Sequence, residues 1–135
     1  MEETRSFRYR QLLSCKCFKM RKASRVVTQF YDKKLKPSGI RITQFTILTL
    51  IATSKDRTLI SLADELLMDR TTLTRGLNIL LKEGLIEQMK AEDSRKKIMT
   101  LTQKGHRILD KAIPLWLEAE HQILDESKKL GFSVI

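Results

Sequence analysis

The chain of 135 residues is long enough for one domain with its own hydrophobic core, and its apolar share of 41% suits a folded protein. Its 26 Lys and Arg against 16 Asp and Glu give a formal net charge of +10, which favours a polyanionic partner such as nucleic acid. No apolar run approaches the roughly 18 residues of a membrane span, and no apolar segment follows the charged N-terminus. We therefore expect a cytoplasmic protein with no membrane partner.

The first half of the chain predicts helices. We expect a flexible tail over residues 1–8 and then a long helix from about 9 to 36, on which apolar residues recur every three or four positions. Pro37 ends this helix. A second helix is predicted at about 43–53, and a short extended piece follows at 57–60.

Two short helices then follow each other closely, in the pattern of a helix-turn-helix. Ser61 is expected to begin the first, which runs to about Leu67, because Asp64 stands three residues after it as in a capping box. Asp69 is expected to cap the second helix. That helix ends at Gly84, a residue that readily adopts a left-handed cap.

The remainder of the chain predicts a hairpin and a long helix. Residues 85–90 and 96–101 are predicted to be two strands joined by a polar segment. Thr102 caps the last helix, which continues to about Leu130 with a bend at Pro114. The first and last helices are both longer than a small domain requires and carry apolar stripes, so they are expected to form a dimer interface.

The predicted fold class is mainly α with a small β-hairpin wing, a winged helix-turn-helix with long N- and C-terminal dimerisation helices. Its parts are a flexible N-terminal tail (1–8), an N-terminal helix in the dimerisation region (9–40), the winged helix-turn-helix (41–101) and the C-terminal dimerisation helix or helices (102–135).

The helix after Asp69 combines a leucine face with a polar stripe. Leu73, Leu77 and Leu80 are expected to face inward, while the opposite face carries Thr71, Thr74, Arg75, Asn78 and Lys82. Arginine can bond guanine and asparagine can bond adenine in the major groove, and hydroxyl groups at a helix N-terminus can hold phosphate. The predicted DNA-binding residues are Ser61, Arg70, Thr71, Thr72, Thr74, Arg75 and Asn78, with Arg95, Lys96 and Lys97 at the hairpin.

Other interpretations predict a different role for this surface. A polar stripe also occurs on any solvated helix, and a winged helix can serve as a protein–protein interaction module. An enzyme is not expected, because the sequence has no phosphate-binding glycine loop, no His-Glu-x-x-His motif and no nucleophile elbow. No cofactor and no metal site are expected either, since Cys15 and Cys17 lack the usual zinc spacing and His106 and His121 are far apart in the sequence.

Four segments carry a family resemblance: DRTTLTR at 69–75, LLKEGLI at 80–86, DSR at 93–95 and LTQKG at 101–105. Together they resemble the multiple-antibiotic-resistance regulator (MarR) family of bacteria and archaea over about residues 12–124. The resemblance implies a homodimer whose winged-helix lobes bind a palindromic operator in double-stranded DNA and usually repress transcription. It also implies a small phenolic or other lipophilic inducer, and a wing in which Asp93 braces Arg95.

The first helix is similar to that of the organic-hydroperoxide sensors within this family. The similarity rests on Cys-Phe at 17–18 and Ala-Ser-Arg at 23–25, and it implies that Cys17 is a reactive cysteine and Tyr31 a tyrosine that meets it across the dimer. Other tyrosines of those sensors are replaced here by Arg21 and Ile42. Two roles of Cys17 are therefore open, a possible redox sensor and a small buried apolar side chain.

Overall fold

The computed structural model describes residues 1–92, 95–129 and 131. Its helices are α1 (Glu2–Gln11), α2 (Lys16–Leu35), α3 (Ile42–Ala52), α4 (Leu59–Leu66), α5 (Arg70–Lys82) and α6 (Gln103–Lys129). Its strands are β1 (Ile86–Lys90) and β2 (Lys97–Leu101), which pair antiparallel. The predicted fold class, mainly α with a hairpin wing, is confirmed.

The N-terminal region differs from the predicted tail and single long helix. Residues 1–8, predicted to be a flexible tail, belong to α1, which has glutamates in its first turn and arginines in its last that complement the helix dipole. The single helix predicted from about 9 to 36 is interrupted by a 3₁₀ turn at Leu12–Ser14. The Ser14 hydroxyl donates to the Gln11 carbonyl at 2.7 Å, a local bond that competes with continuation of the helix.

The start of α4 is set by Thr58 and not, as predicted, by Ser61. The Ser61 N–H donates to Thr58 Oγ1 at 3.2 Å, and the Thr58 N–H donates to Ser61 Oγ at 2.9 Å. Ser61 is therefore the third residue of the helix and completes the capping box, the role that the sequence analysis gave to Asp64. Leu67, in a left-handed conformation at φ 52°, ends α4.

Helix α5 begins and ends as predicted. Asp69 Oδ2 accepts a hydrogen bond from the Thr72 N–H at 2.9 Å, and Gly84 follows the helix at φ 74°. The leucines predicted to face inward are all buried: Leu73, Leu77 and Leu80. They anchor α5 to the larger core cluster, which fixes the direction of its exposed face.

The hairpin follows α5 directly, with Lys90 opposite Lys97 near its tip. The extended piece predicted at 57–60 is reduced to one isolated bridge, in which the Met99 N–H donates to the Arg57 carbonyl at 2.9 Å. The prediction was too long because α4 already begins at Leu59.

Helix α6 passes through both core clusters. Its Leu109 and Ala112 are buried in the larger cluster, and Ala119 and Ile123 pack with Tyr31 of α2 in the smaller one. One helix of 27 residues therefore joins the helix-turn-helix to the N-terminal region of the fold. Neither α6 nor another helix in the described part of the chain has the length and apolarity needed to cross a bilayer.

Candidate nucleic-acid interface

The polar face of α5 points away from the core. Its predicted members are all exposed: Thr71, Thr74, Arg75, Asn78 and Lys82. Because the buried leucines alternate with these positions at helical spacing, α5 cannot rotate its polar face inward without exposing its core face.

An open groove of about 600 Å³ lies between this helix and the hairpin. It brings together seven of the ten predicted DNA-binding residues: Ser61, Arg70, Thr74, Asn78, Arg95, Lys96 and Lys97. The other three, Thr71, Thr72 and Arg75, lie on α5 outside the lining of the groove. The groove thus combines hydroxyl and amide groups on a helix with cations on a hairpin, donors that suit base edges and phosphates.

Two of the residues predicted to bind DNA also form hydrogen bonds within the chain. The Thr72 hydroxyl donates to Asp69 Oδ1 at 2.6 Å, and the Ser61 hydroxyl donates to the Thr58 carbonyl at 3.0 Å. The hydroxyl bond from Thr72, followed by its N–H bond, holds the pKa of the Asp69 carboxyl below its ordinary 3.8. Thr72 and Ser61 therefore donate their hydroxyl protons to acceptors at the starts of α5 and α4.

The sequence analysis missed several residues that shape the groove. Its floor is apolar and includes Leu59, Leu77 and Met99, and Gln88 of β1 adds an exposed amide. Gln88 stands two residues after the buried Ile86, a period-two signal that places both on one face of the strand. The same spacing can be read from the sequence.

Arg57, which the sequence analysis did not single out, connects three elements beside the groove. Its Nε donates to the Leu50 carbonyl of α3 at 3.0 Å, and its Nη1 lies 2.5 Å from Glu65 Oε2 of α4. Its carbonyl accepts the Met99 N–H of β2. Arg57 therefore links the base of the hairpin to both α3 and α4, beside the packing of Met99 in the core.

The predicted wing brace, Asp93, lies outside the described residues. The described part of the hairpin includes Arg95, Lys96 and Lys97, all exposed. These three cations therefore lie at the start of β2 or just before it, next to the part of the hairpin in which β1 and β2 are paired.

The candidate redox residues lie far apart along α2. Cys17 is exposed in the first turn of the helix, so the chain itself does not bury it as a core residue. Tyr31 is buried nearer the other end and donates its hydroxyl to Glu120 Oε1 of α6 at 2.5 Å. Burial, with the hydrogen bond to Glu120 as the second cause, raises the pKa of Tyr31 well above its ordinary value.

The chain is similar to a family of known proteins in both sequence and structure. The MarR family model matches residues 40–98, from the start of α3 into β2. The organic hydroperoxide resistance transcriptional regulator of Bacillus subtilis is 29% identical over 100 residues, which cover 73% of this chain and 68% of that protein. The M. tuberculosis transcriptional regulator MosR, solved in complex with DNA, is 41% identical with a TM-score of 0.73, and 81% of each chain is covered. Overoxidized AbfR bound to DNA is 30% identical with a TM-score of 0.67, covering 96% of this chain and 90% of that chain.

These similarities extend beyond the helix-turn-helix. The match to MosR covers most of both chains at 41% identity, and these relatives are transcriptional regulators and not enzymes. The predicted family, the predicted regulatory function and the expectation that the chain is not an enzyme are confirmed. The chain belongs to the MarR family of winged-helix, DNA-binding transcriptional regulators.

Proposed function

We propose that the chain acts as a homodimeric repressor that binds a palindromic operator with one groove per protomer. The groove between α5 and the hairpin carries this proposal, because it gathers helix-borne polar groups and hairpin cations on one side of the fold. Two such lobes related by a two-fold axis match a palindromic site with half-sites about one helical turn apart.

The exposed face of α5 and the hairpin have distinct tasks in this proposal. Arg75 and Asn78 on α5 read base edges in the major groove, where each good bidentate contact discriminates by about 1–3 kcal/mol. Thr71, Thr74 and Arg70 contact phosphate oxygens or bases at the rim, with Lys96 and Lys97 on the backbone beyond. Arg95 enters the neighbouring minor groove.

Dimerisation in this proposal uses both ends of the chain, residues 9–40 and 102–135. Apolar side chains are exposed at these ends, among them Leu12, Leu13, Phe18 and Met20, with Leu117 and Leu124 on α6. Burial of such groups in a partner removes apolar surface from water at about 25 cal/mol per Å². Because the regulator acts on chromosomal DNA, we also propose a cytoplasmic location.

The signal in this proposal is a small lipophilic or phenolic ligand, or an oxidant that reacts at Cys17. The exposure of Cys17 supports the oxidant, as do relatives described as a hydroperoxide resistance regulator and as overoxidized AbfR. An organic hydroperoxide would convert the thiol to a sulfenic acid, one oxygen passing to sulfur while the hydroperoxide leaves as the alcohol. In this signal Tyr31 stays hydrogen-bonded to Glu120 and does not contact Cys17 of its own chain.

Selection of bound sequences from random DNA tests the proposal. We expect a two-fold symmetric site, and an affinity that falls by about 10³–10⁵ between 50 and 200 mM salt if six to ten phosphates are contacted. The alternative of a protein–protein module would be favoured if the protein does not bind DNA. It would also be favoured if the affinity for DNA does not change with salt and the protein captures a protein partner.

The same binding assay tests the redox signal when it is repeated after treatment with an organic hydroperoxide. We expect release of wild-type protein from DNA and no release of Cys17→Ser. Cys15→Ser is the matched control, since Cys15 is also exposed and lies two residues away. Release of Cys17→Ser by the peroxide would remove Cys17 from the signal, whereas wild-type protein that stays on DNA after the treatment would leave the ligand as the inducer.

A further inference from the structure

The start of α6 is bonded to the turn that follows α5. The Thr102 hydroxyl donates to the Gly84 carbonyl at 2.6 Å and accepts the Gly105 N–H at 3.0 Å. The Thr102 N–H donates to the Leu85 carbonyl at 3.1 Å. One threonine therefore caps α6 and, through the same oxygen, ties it to the turn that follows α5.

Gly105 makes this attachment close as well as hydrogen-bonded. A Cβ atom at position 105 would lie 2.1 Å from the carbonyl oxygen of Leu85, which is backbone and has little freedom to move. Ordinary contacts exceed 3 Å, so any larger residue would separate α6 from Leu85 by about 1 Å. We call the four residues Gly84, Leu85, Thr102 and Gly105 the α5–α6 joint.

The joint lies at the N-terminal end of α6, and the rest of that helix runs on through the proposed dimerisation region. Ala112 of α6 is buried beside the helix-turn-helix, and Ala119 is buried further along against α2. Packing of this kind transmits a displacement because interiors are close-packed. The orientation of α5 relative to the dimer axis therefore depends on how α6 is held at the joint.

We propose that Thr102 and Gly105 are positioning residues that set the separation of the two operator half-sites. This inference rests on the proposed dimeric binding of DNA and goes beyond it, because neither residue lines the groove. A rigid joint fixes the distance and rotation between the two copies of α5. A loosened joint lets each α5 adjust to half-sites at other separations.

Operators of altered spacing test the joint. The duplexes carry the half-sites selected by the wild-type protein, with one base pair inserted or removed between them, a change of about 3.4 Å and 34°. We expect wild-type affinity to fall about tenfold on either change. Thr102→Val keeps the shape of the side chain but lacks both hydroxyl bonds. We expect the affinity of this variant to fall only about threefold or less when the spacing is altered.

Matched variants separate positioning from simple destabilisation. Thr102→Ser keeps the hydroxyl and should restore the wild-type spacing profile. Thr49→Val removes a comparable hydroxyl bond, from Thr49 Oγ1 to the Phe45 carbonyl at 2.7 Å, away from the joint, and should keep that profile too. Gly105→Ala should flatten the profile as Thr102→Val does, if circular dichroism shows that it folds.

The outcomes distinguish this inference from the function on which it rests. Wild-type protein that binds the selected DNA, together with Thr102→Val that keeps the wild-type spacing preference, overturns the role of the joint and leaves the proposed function intact. Wild-type protein that selects no DNA overturns both. The proposed role of the joint is supported if Thr102→Val is the only one of the three threonine variants whose affinity changes little with the spacing of the half-sites.

Discussion

The guanidinium of Arg57 lies 2.5 Å from the carboxylate of Glu65, and its side chain is only 16% exposed against 49% for Glu65. The same guanidinium donates to the Leu50 carbonyl at the end of α3. The Arg57 side chain serves two acceptors, so its removal loses two bonds from a charged donor, although the Leu50 carbonyl still accepts the Thr53 hydroxyl at 3.2 Å. Arg57 thus adds a polar link between the helix-turn-helix and the base of the wing.

Replacing Arg57 is expected to weaken both the fold and the wing. We expect Arg57→Met to lower the free energy of unfolding by about 1.5–3 kcal/mol in urea denaturation, since bonds to a charged donor are lost. Glu65→Gln keeps the Leu50 bond and should lower it by no more than about 1 kcal/mol, because Glu65 is half-exposed. Equal losses in the two variants would show that the ion pair, and not the bond to α3, holds the wing.

Leu67 occupies a backbone conformation that leucine rarely adopts. It lies in the turn of the helix-turn-helix at φ 52° and is 94% exposed, so its side chain gains little from packing. Asparagine tolerates this conformation better, and we expect Leu67→Asn to raise the free energy of unfolding by up to about 1 kcal/mol. Leu67→Ala is the control, because it removes the exposed side chain but retains the left-handed strain. A gain of the same size in the alanine variant would trace the effect to side-chain exposure.

The cap of α5 should make the stability of the folded chain depend on pH in the acidic range. The hydroxyl and N–H of Thr72 bond the ionised carboxyl of Asp69 and hold its pKa below 3.8 in the folded chain. The cap therefore stabilises the folded state above pH 3.8 and is lost as the pH falls through the folded-state pKa. We expect Asp69→Ala to lower Tm at neutral pH, and its difference from wild type to narrow below pH 3.8.

Asp69→Asn provides the control for that titration, because asparagine also caps helices but does not ionise. Its difference in Tm from Asp69→Ala should stay constant across the same pH range. A difference between wild type and Asp69→Ala that does not change with pH would contradict a cap made by the ionised carboxyl.

The sequence predicted those features that a few neighbouring residues determine. Asp69 caps α5 and Gly84 follows its end as expected, and Thr102 caps α6, because each depends on a bond or a backbone angle within its own segment. The leucine face of α5 was equally predictable, since helical periodicity alone determines which residues are buried.

The features that were not predicted depend on partners distant in the chain or on competition between near equivalents. Tyr31 meets Glu120 across 89 positions, which no local pattern indicates. Thr58 and Ser61 are both good caps, and only the reciprocal bonds between them decide that α4 begins after Thr58. The break between α1 and α2 has no Pro or Gly to mark it.

Arg95 is expected to contribute to affinity without selecting a sequence. We expect Arg95→Ala to weaken binding to specific and random DNA alike, and to reduce the slope of log affinity against log salt by about one. Arg5→Ala is the control, since Arg5 is exposed on α1 and lies outside both the groove and the proposed dimerisation regions. An Arg95→Ala protein with an unchanged salt slope would place Arg95 outside the interface.

Arg75 is expected to select a base, because it is exposed on the polar face of α5 at the position opposite the buried leucines. Selection from random DNA with Arg75→Ala should show relaxed preference at one position in each half-site and a loss of about 1–3 kcal/mol on the wild-type operator. Arg75→Lys keeps the charge but not the planar pair of donors, so it should retain affinity for random DNA while losing that same preference. If Arg75→Lys keeps the base preference, then Arg75 acts on phosphate, and the base must be read by Asn78 or Thr74, which lie beside it on α5.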